Sequence, residues 1–123
     1  MKLTGICLIT EDVGRLSRFY QQVLHTTAEG DDTHTEIHVN GASLFIYAKT
    51  AAMHDMKFDF STFSGSGNMT LMFRVDDVDQ EYERIKGFDV DFITIPTKYP
   101  WGSRAVHFRD PDGNIVDFYT PPT

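Results

Sequence analysis

The stretch that decides the fold is Phe108-Arg109-Asp110-Pro111-Asp112-Gly113-Asn114-Ile115-Val116-Asp117-Phe118-Tyr119. Proline presets the backbone dihedral at the second position of a four-residue turn, and glycine is favoured at the fourth. The residues that flank this turn are rich in β-branched and aromatic types, which are typical of strands. The stretch therefore predicts a β-hairpin with its turn at residues 110–113.

The length and composition of the chain predict one folded unit. At 123 residues, of which 41% are hydrophobic, the chain can bury one sizeable core but is small for two independent domains. No apolar run approaches the roughly 20 residues that span a bilayer, and the N-terminus lacks the pattern of a signal peptide. We therefore expect a single domain over residues 1–123, located in the cytoplasm and not bound to a membrane.

The charge pattern argues against nucleic acid as a partner. The net charge is −7, with 18 acidic against 11 basic residues, and no basic stripe is present. The only cysteine, Cys7, excludes an internal disulfide and a multi-cysteine metal site, and its apolar neighbours predict a buried strand residue.

The sequence of the first half of the chain predicts a strand, a helix and then further strands. A nearly continuous apolar run predicts a strand at 3–10, and Asp12 is placed to cap a helix with apolar residues at spacings of three and four. Alternation of polar and apolar residues predicts a half-exposed strand at 33–39. Asn40-Gly41 predicts a two-residue hairpin turn before a returning strand at 42–48.

The second half repeats this order. Strands are predicted at 69–75, 88–95, 103–109 and 114–119, with a helix that Asp77 caps after the first of them. The helix caps Asp12 and Asp77 are 65 residues apart, and the turn glycines Gly41 and Gly113 are 72 apart. The chain therefore predicts two βαβββ modules, at about 1–48 and 68–121. A loop at 49–67, ending in the glycine-serine segment 64–67, is expected to join them.

The chain resembles the vicinal oxygen chelate superfamily, which contains glyoxalases, extradiol dioxygenases, fosfomycin-resistance enzymes and bleomycin-binding proteins. The most specific parts of the resemblance are the segments Phe73-Arg74-Val75-Asp76-Asp77-Val78-Asp79 and Phe108-Arg109-Asp110-Pro111-Asp112-Gly113-Asn114. The resemblance implies an α+β fold in which two βαβββ modules form a curved mixed sheet around a cleft, with helices on its outer face. It also implies a homodimer.

Metal-dependent members of that superfamily take one ligand from the first and one from the last strand of each module. Carried over through the repeat, these positions are Gly5, Phe45, Thr70 and Asp117. Glycine and phenylalanine have no donor side chain, threonine is a poor donor, and one carboxylate rarely holds a catalytic metal alone. We therefore expect no metal cofactor.

Two predicted strands contain histidines that are candidates for metal binding, catalysis or ligand binding. His34, Glu36 and His38 alternate along one strand, and a solvated face of an edge strand explains them better than a metal site does. By register from the turn, His107 shares a face with Ser103 and Ala105, and the resemblance places that face toward the cleft that contains Asp117. His107 and Asp117 are candidates for acid–base catalysis, for holding a polar ligand, or for a purely structural pair.

The remaining candidates would line the groove that the resemblance implies. Trp101 lies in a bend between Pro100 and Gly102 and can stack on a flat or cationic ligand or pack on the module boundary. Arg104 is either an anion-binding residue or an ordinary exposed arginine. The full set of expected ligand-binding residues is Phe45, Tyr47, Thr70, Met72, Arg74, Trp101, His107, Asp117 and Tyr119.

Two hypotheses about function follow. The first is a metal-free binding protein, similar to the bleomycin-binding members, that holds a small aromatic or cationic molecule in its cleft. The second is a lyase, isomerase or dioxygenase of glyoxalase type with an unusual metal centre built from His107, Asp117 and the strand of His34.

Overall fold

A computed structural model describes residues 1–61 and 69–122 of the chain. The chain divides into two compact units, Met1–Ser64 and Gly65–Thr123, which we call the N-terminal and the C-terminal unit. In the described part of the chain, no helix is long and apolar enough to cross a membrane. The glycine-serine segment that we expected to act as a flexible connector lies outside the described residues.

The N-terminal unit is a four-stranded sheet with a helix on one face. Its elements are β1 (Gly5–Thr10), α1 (Val13–Val23), β2 (Ala28–Gly30), β3 (His34–Ile37), β4 (Ser43–Ala48) and α2 (Lys49–Asp55). The strand order is β1-β4-β3-β2, and only the β1–β4 pair is parallel. As predicted, the Asp12 carboxylate caps α1 by accepting from the backbone N–H of Arg15 at 3.0 Å.

The core of the N-terminal unit lies between α1 and one sheet face. The periodic apolar residues of the helix and alternate residues of the strands are buried there because both periods put apolar side chains on the facing surfaces. The most buried of them are Leu16, Tyr20, Val23, Ile37 and Ile46. The side chains on the other face of the sheet are therefore not part of this core.

The C-terminal unit repeats this plan. Its elements are β5 (Thr70–Arg74), α3 (Val78–Ile85), a 3₁₀ turn (Lys86–Phe88), β6 (Asp91–Phe92), β7 (Thr97–Lys98), β8 (Arg104–Arg109) and β9 (Ile115–Thr120). The strands are ordered β5-β9-β8-β6, with β7 also paired to β8, and β5–β9 is the parallel pair. Asp77 caps α3 by accepting from the N–H of Gln80 at 3.1 Å.

The hairpin from which the prediction started is held together by a buried aspartate. Asp110 is 4% exposed, and its carboxylate accepts from the backbone N–H groups of Asp112 and Asn114 at 2.9 Å each. Gly113 adopts a φ of +89°, which favours glycine, and its N–H closes the turn onto the carbonyl of Asp110. The turn fixes the register of β8 and β9, which both follow the prediction closely.

The two units have the same strand register, which confirms the predicted α+β fold of two repeated modules. Cys7 pairs with Phe45 in the N-terminal unit, and Met72 pairs with Asp117 in the C-terminal unit. These positions are related by the 65- and 72-residue spacings seen in the sequence. Each unit therefore contains one sheet.

Three predictions for the N-terminal half were wrong in detail. The expected loop begins with α2, which the sequence did not reveal because no side chain caps its N-terminus. The two-residue turn expected at Asn40-Gly41 is instead a longer connection from β3 to β4. In this connection the carbonyl of His38 accepts from the Thr26 hydroxyl, and the N–H of His38 donates to the carbonyl of Thr27. The strand of His34 is not an edge strand, because β2 pairs with its outer side.

Two further predictions need correction. The strand expected at 88–95 is broken into a 3₁₀ turn, β6 and an irregular stretch before β7. The cause is a β-bulge, in which the carbonyl of His107 accepts both from Ile93 N–H at 2.9 Å and from Thr94 N–H at 3.2 Å. Cys7, expected to be buried, is exposed, since it lies on the sheet face turned away from α1.

Candidate functional site

The C-terminal unit contains a cavity of about 260 Å³ on the sheet face opposite α3. Its walls carry three aromatic rings, one imidazole and one carboxylate. The lining residues are Met72, Tyr99, Trp101, Ser103, Ala105, His107, Asp117 and Tyr119. All of these residues belong to the C-terminal unit.

The strand register brings the polar residues of the cavity together. Asp117 on β9 lies between Met72 on β5 and His107 on β8, each directly opposite it in the register. The next residue, Phe118, points to the opposite face and is buried in the core beside Phe108, with ring centroids 5.0 Å apart. The alternation of the strand therefore assigns Asp117 to the cavity and its neighbour to the core.

Asp117 is a buried carboxylate with few partners. The residue is 7% exposed, and its Oδ2 lies 3.6 Å from His107 Nε2, beyond ordinary hydrogen-bond length. Its Oδ1 is buried and accepts no hydrogen bond from the residues that the structure describes. Burial raises the pKa of Asp117 because it disfavours the charged form, and nearby His107 opposes that shift.

Thr94 orients the imidazole of His107. The backbone N–H of His107 donates to Thr94 Oγ1 at 2.9 Å, and the same hydroxyl lies 3.3 Å from His107 Nδ1. A hydroxyl that accepts the backbone N–H still has its own hydrogen to donate to Nδ1. When the hydroxyl donates in this way, the proton of a neutral ring is on Nε2, the nitrogen that faces the carboxylate of Asp117.

The β-bulge explains how Thr94 reaches this position. Because the carbonyl of His107 accepts from two successive backbone amides, the chain bends at residues 93–94. The bend breaks the strand and directs the Thr94 hydroxyl to His107. Sequence reasoning missed this residue, since a bulge depends on the partner strand rather than on local composition.

A pair of stacked rings forms the aromatic wall. Tyr99 and Trp101 are nearly parallel, with an interplanar angle of 9° and ring centroids 4.9 Å apart. Tyr99 also meets His107 edge to face at 6.2 Å. Trp101 remains 65% exposed, so much of the largest aromatic side chain of the unit has no protein packed against it. Sequence reasoning included Trp101 among the site residues but missed its stacking partner Tyr99.

The structure brings together five of the nine residues that we expected to bind a ligand. These are Met72, Trp101, His107, Asp117 and Tyr119. Thr70 and Arg74 also lie on β5 but are not among the residues that line the cavity. Arg104 forms a bidentate ion pair with Asp79, in which Nε and Nη2 of the arginine each lie 2.7 Å from a carboxylate oxygen. The role of each of these residues in ligand binding stays a prediction.

Phe45 and Tyr47 lie on β4, on the face of the N-terminal sheet turned away from α1. The ring of His34 stacks on Phe45 at 5.3 Å and lies 5.7 Å from that of Tyr47. The hydroxyl of Tyr47 donates to Asp55 on α2 at 3.4 Å. Burial, followed by the charge of Asp55, raises the pKa of Tyr47. The hydroxyl of Tyr47 is thus engaged within the N-terminal unit.

The side chains present do not fit a catalytic metal. In residues 1–61 and 69–122, no three histidine, cysteine, aspartate or glutamate side chains are placed to hold a metal ion together. Of the four ligand positions that the resemblance gives, Gly5 and Phe45 carry no donor atom and Thr70 carries only a hydroxyl. The charged or ionisable groups among the described lining residues are one carboxylate and one imidazole, with the phenols of Tyr99 and Tyr119.

Comparison with known proteins agrees with this architecture. The family model described as Glyoxalase/Bleomycin resistance protein/Dioxygenase superfamily matches residues 2–118. Among curated proteins, the chain is 38% identical over 50 residues to the uncharacterized protein YraH of Bacillus subtilis (strain 168). That alignment covers 40% of this chain and 39% of the relative, so the chain matches well under half of the relative's length.

Solved structures show the same fold over nearly the whole chain. A glyoxalase/bleomycin resistance protein/dioxygenase family enzyme from Burkholderia phytofirmans PsJN superimposes with a TM-score of 0.84 at 21% identity, covering 98% of both chains. A glyoxalase/bleomycin resistance protein/dioxygenase from Nocardioides gives a TM-score of 0.83 at 20% identity, covering 99% of this chain and 84% of the other. At these identities the likeness establishes the fold alone.

Proposed function

Because the chain belongs to the Glyoxalase/Bleomycin resistance protein/Dioxygenase superfamily, we propose that it acts as a small-molecule-binding member that needs no metal. Its binding site is the cavity of the C-terminal unit, and its ligand is a small, flat organic molecule. The observation that carries this proposal is a nine-tenths buried carboxylate, that of Asp117, in the same cavity wall as the exposed ring of Trp101.

The shape and lining of the cavity suit a flat ligand. Binding sites for small molecules are concave and mostly apolar, with a few polar groups that fix the orientation of the ligand. Here the apolar part consists of Met72, Ala105 and the aromatic rings, and the polar part of Ser103, His107 and Asp117. A planar ring can stack on Trp101 while its polar end reaches Asp117.

Thr94 supports the same function by holding His107 in place. An imidazole whose Nδ1 is tied to a hydroxyl has a defined orientation, so the groups that a ligand meets are fixed before it binds. Preorganisation of this kind reduces the entropic cost of binding. The metal-dependent alternative receives no comparable support, since only His107 and Asp117 of its proposed ligands lie in the cavity.

The fluorescence of Trp101 tests the proposal directly, because it is the only tryptophan in the chain. We expect at least one member of a panel of planar neutral, cationic and anionic aromatic compounds to change the emission saturably. Trp101→Phe should weaken that compound by about 3- to 10-fold, corresponding to roughly 0.5–1.5 kcal/mol of aromatic stacking. Calorimetry measures the affinity of this variant, since it lacks the fluorophore.

The matched control is Phe88→Leu, which removes another exposed aromatic ring of the C-terminal unit that does not line the cavity. It should leave the affinity within about twofold of the wild type. If no compound of the panel changes either the emission or the melting temperature, the cavity is not a binding site for flat molecules. Equal weakening by both variants would also contradict the proposal, because stacking on Trp101 would then have no specific part.

A further inference from the structure

The charges in the cavity wall are unbalanced. Among the residues that the structure describes, the lining contains one carboxylate, one imidazole and no lysine or arginine. Arg104, which lies next to the lining residue Ser103, is bound by Asp79 through two short contacts, and Arg109 donates to the carbonyl of Gly113 at 2.8 Å. The negative charge of Asp117 is therefore not matched by a permanent positive charge in the cavity.

The imidazole of His107 compensates this charge only in part. Its Nε2 lies 3.6 Å from Asp117 Oδ2, which is too long for a strong charge-assisted hydrogen bond. On the other side of the carboxyl group, Oδ1 is buried without a hydrogen bond from any described residue. A carboxylate has about four acceptor sites, so most of the capacity of Asp117 remains unused.

We propose that the ligand of this cavity carries a positively charged N–H group, such as an amidinium or a protonated amine, that donates to Asp117. This inference rests on the proposed function, since it names the chemical class of the ligand in the same cavity. A cationic donor that reaches the accessible part of the Asp117 side chain supplies a positive charge and a hydrogen bond that the described residues do not supply. The faces of Trp101 and Tyr119 favour a cation in the same space.

Three other ligand classes fit less well. A carboxylate or phosphate would face Asp117 without a lysine or arginine in the lining to hold it. A neutral amide could donate to Asp117 but would leave the negative charge uncompensated. A quaternary ammonium would satisfy the charge and stack on the aromatic rings but has no N–H to donate.

Four phenyl compounds separate these classes. Benzamidine is a planar N–H cation, phenyltrimethylammonium is a cation without a donor, benzamide is the neutral counterpart and benzoate is the anion. Protein-observed NMR on the isotope-labelled full chain, at ligand concentrations up to the millimolar range, measures their dissociation constants and locates the binding. We expect benzamidine to bind at least about tenfold more tightly than benzamide, with phenyltrimethylammonium between them and benzoate weakest.

Asp117→Asn keeps the shape of the side chain and removes its charge. It should weaken benzamidine by about tenfold or more and leave benzamide within about twofold, so that the preference for the cation disappears. Asp91→Asn makes the same change in net charge at an exposed site of β6 that does not line the cavity. It should preserve the preference, which separates local recognition from the general attraction of an acidic protein.

Different failures point to different conclusions. If benzamide or benzoate binds as tightly as benzamidine, or if Asp117→Asn keeps the preference for the cation, the assignment of ligand class is wrong. The flat-ligand site of the proposed function then still stands, provided that the shifts map to the cavity. If none of the four compounds shifts the resonances of cavity residues and no planar compound affects Trp101, both proposals fall.

Discussion

The two units have the same backbone plan but different chemistry on the face that points away from the helix. Three positions that lie side by side in each sheet show this difference. They are Cys7, Phe45 and Glu36 in the N-terminal unit, and Met72, Asp117 and His107 in the C-terminal unit. The central position is thus an aromatic ring in one unit and a buried carboxylate in the other.

The surroundings of the central residue differ as well. The ring of His34 stacks on that of Phe45, so a side chain of the same sheet covers the central residue. Asp117 has a cavity beside it and an oxygen without a partner in the described chain. The comparison teaches that both units keep apolar side chains at the core-facing positions of the central strand, Leu44 and Ile46 in one and Val116 and Phe118 in the other, while the residue types on the opposite face differ. Three predictions test this division.

The largest effect is expected in the core. Phe118 is 2% exposed and packs against Phe73 and Phe108, so Phe118→Ala should lower the free energy of unfolding by about 3–5 kcal/mol. Urea unfolding followed by circular dichroism measures this loss. Phe118→Leu is the control and should cost clearly less, because a smaller cavity remains. A cost for Phe118→Ala below about 1 kcal/mol would show that this face is not the core of the unit.

The helix caps should behave alike in both units. Asp12 and Asp77 each accept one backbone N–H in the first turn of a helix, at 3.0 and 3.1 Å. Asp12→Ala and Asp77→Ala should each cost about 0.5–2 kcal/mol, and the two losses should agree within about 0.5 kcal/mol. The same unfolding experiment compares them. A loss confined to one variant would mean that the repeat does not extend to the energetics of the caps.

The smallest expected effect on stability is that of Asp117, and it is recognised by the direction in which the free energy of unfolding changes with pH. Burial raises its pKa above the ordinary value of 3.8, so between the unfolded and the folded pKa the folded protein holds a proton there that the unfolded chain has lost. The contribution of Asp117 to stability is therefore complete below that value and is lost as pH rises through the folded pKa. Asp117→Asn removes this loss and should raise stability at neutral pH by an amount on the order of 1 kcal/mol.

Asp31 in the N-terminal unit provides the control of opposite sign. Backbone N–H groups of His34 and Thr33 lower its pKa, so its contribution to stability is present above the ordinary value and is lost as pH falls. Unfolding free energies of the wild type, Asp117→Asn and Asp31→Asn, measured from about pH 3 to pH 7, give the two differences. If both variants change the pH dependence in the same direction, the assignment of Asp117 as a desolvated carboxylate is wrong.

Much of the fold was predictable because its signals are local. The caps Asp12 and Asp77, the turn at Gly113 and the alternating strands each depend on residues within a few positions of one another. By contrast, α2 has no capping side chain, and the irregular stretch around Thr94 arises from the way two amides share one carbonyl of β8. Signals that depend on a partner strand leave little trace in composition.

The sequence by itself determined the repeat and the spacings that relate its two modules, and the register from the turn put His107 on one face with Ser103 and Ala105. The resemblance, and not the pattern alone, implied the metal-ligand positions and placed that face toward Asp117, which the structure pairs with His107. The expected homodimer and the nature of the ligand stay predictions.

Only the tertiary structure decided which of those residues share a cavity and what each of them lacks. It put Tyr99 against Trp101 and Thr94 against His107, and it paired Arg104 with Asp79. It also left one oxygen of Asp117 buried without a partner among the described residues. For Thr94 with His107 and for Arg104 with Asp79, the physical reason is that the partners are 13 and 25 residues apart, so their contact depends on distances that no local pattern encodes.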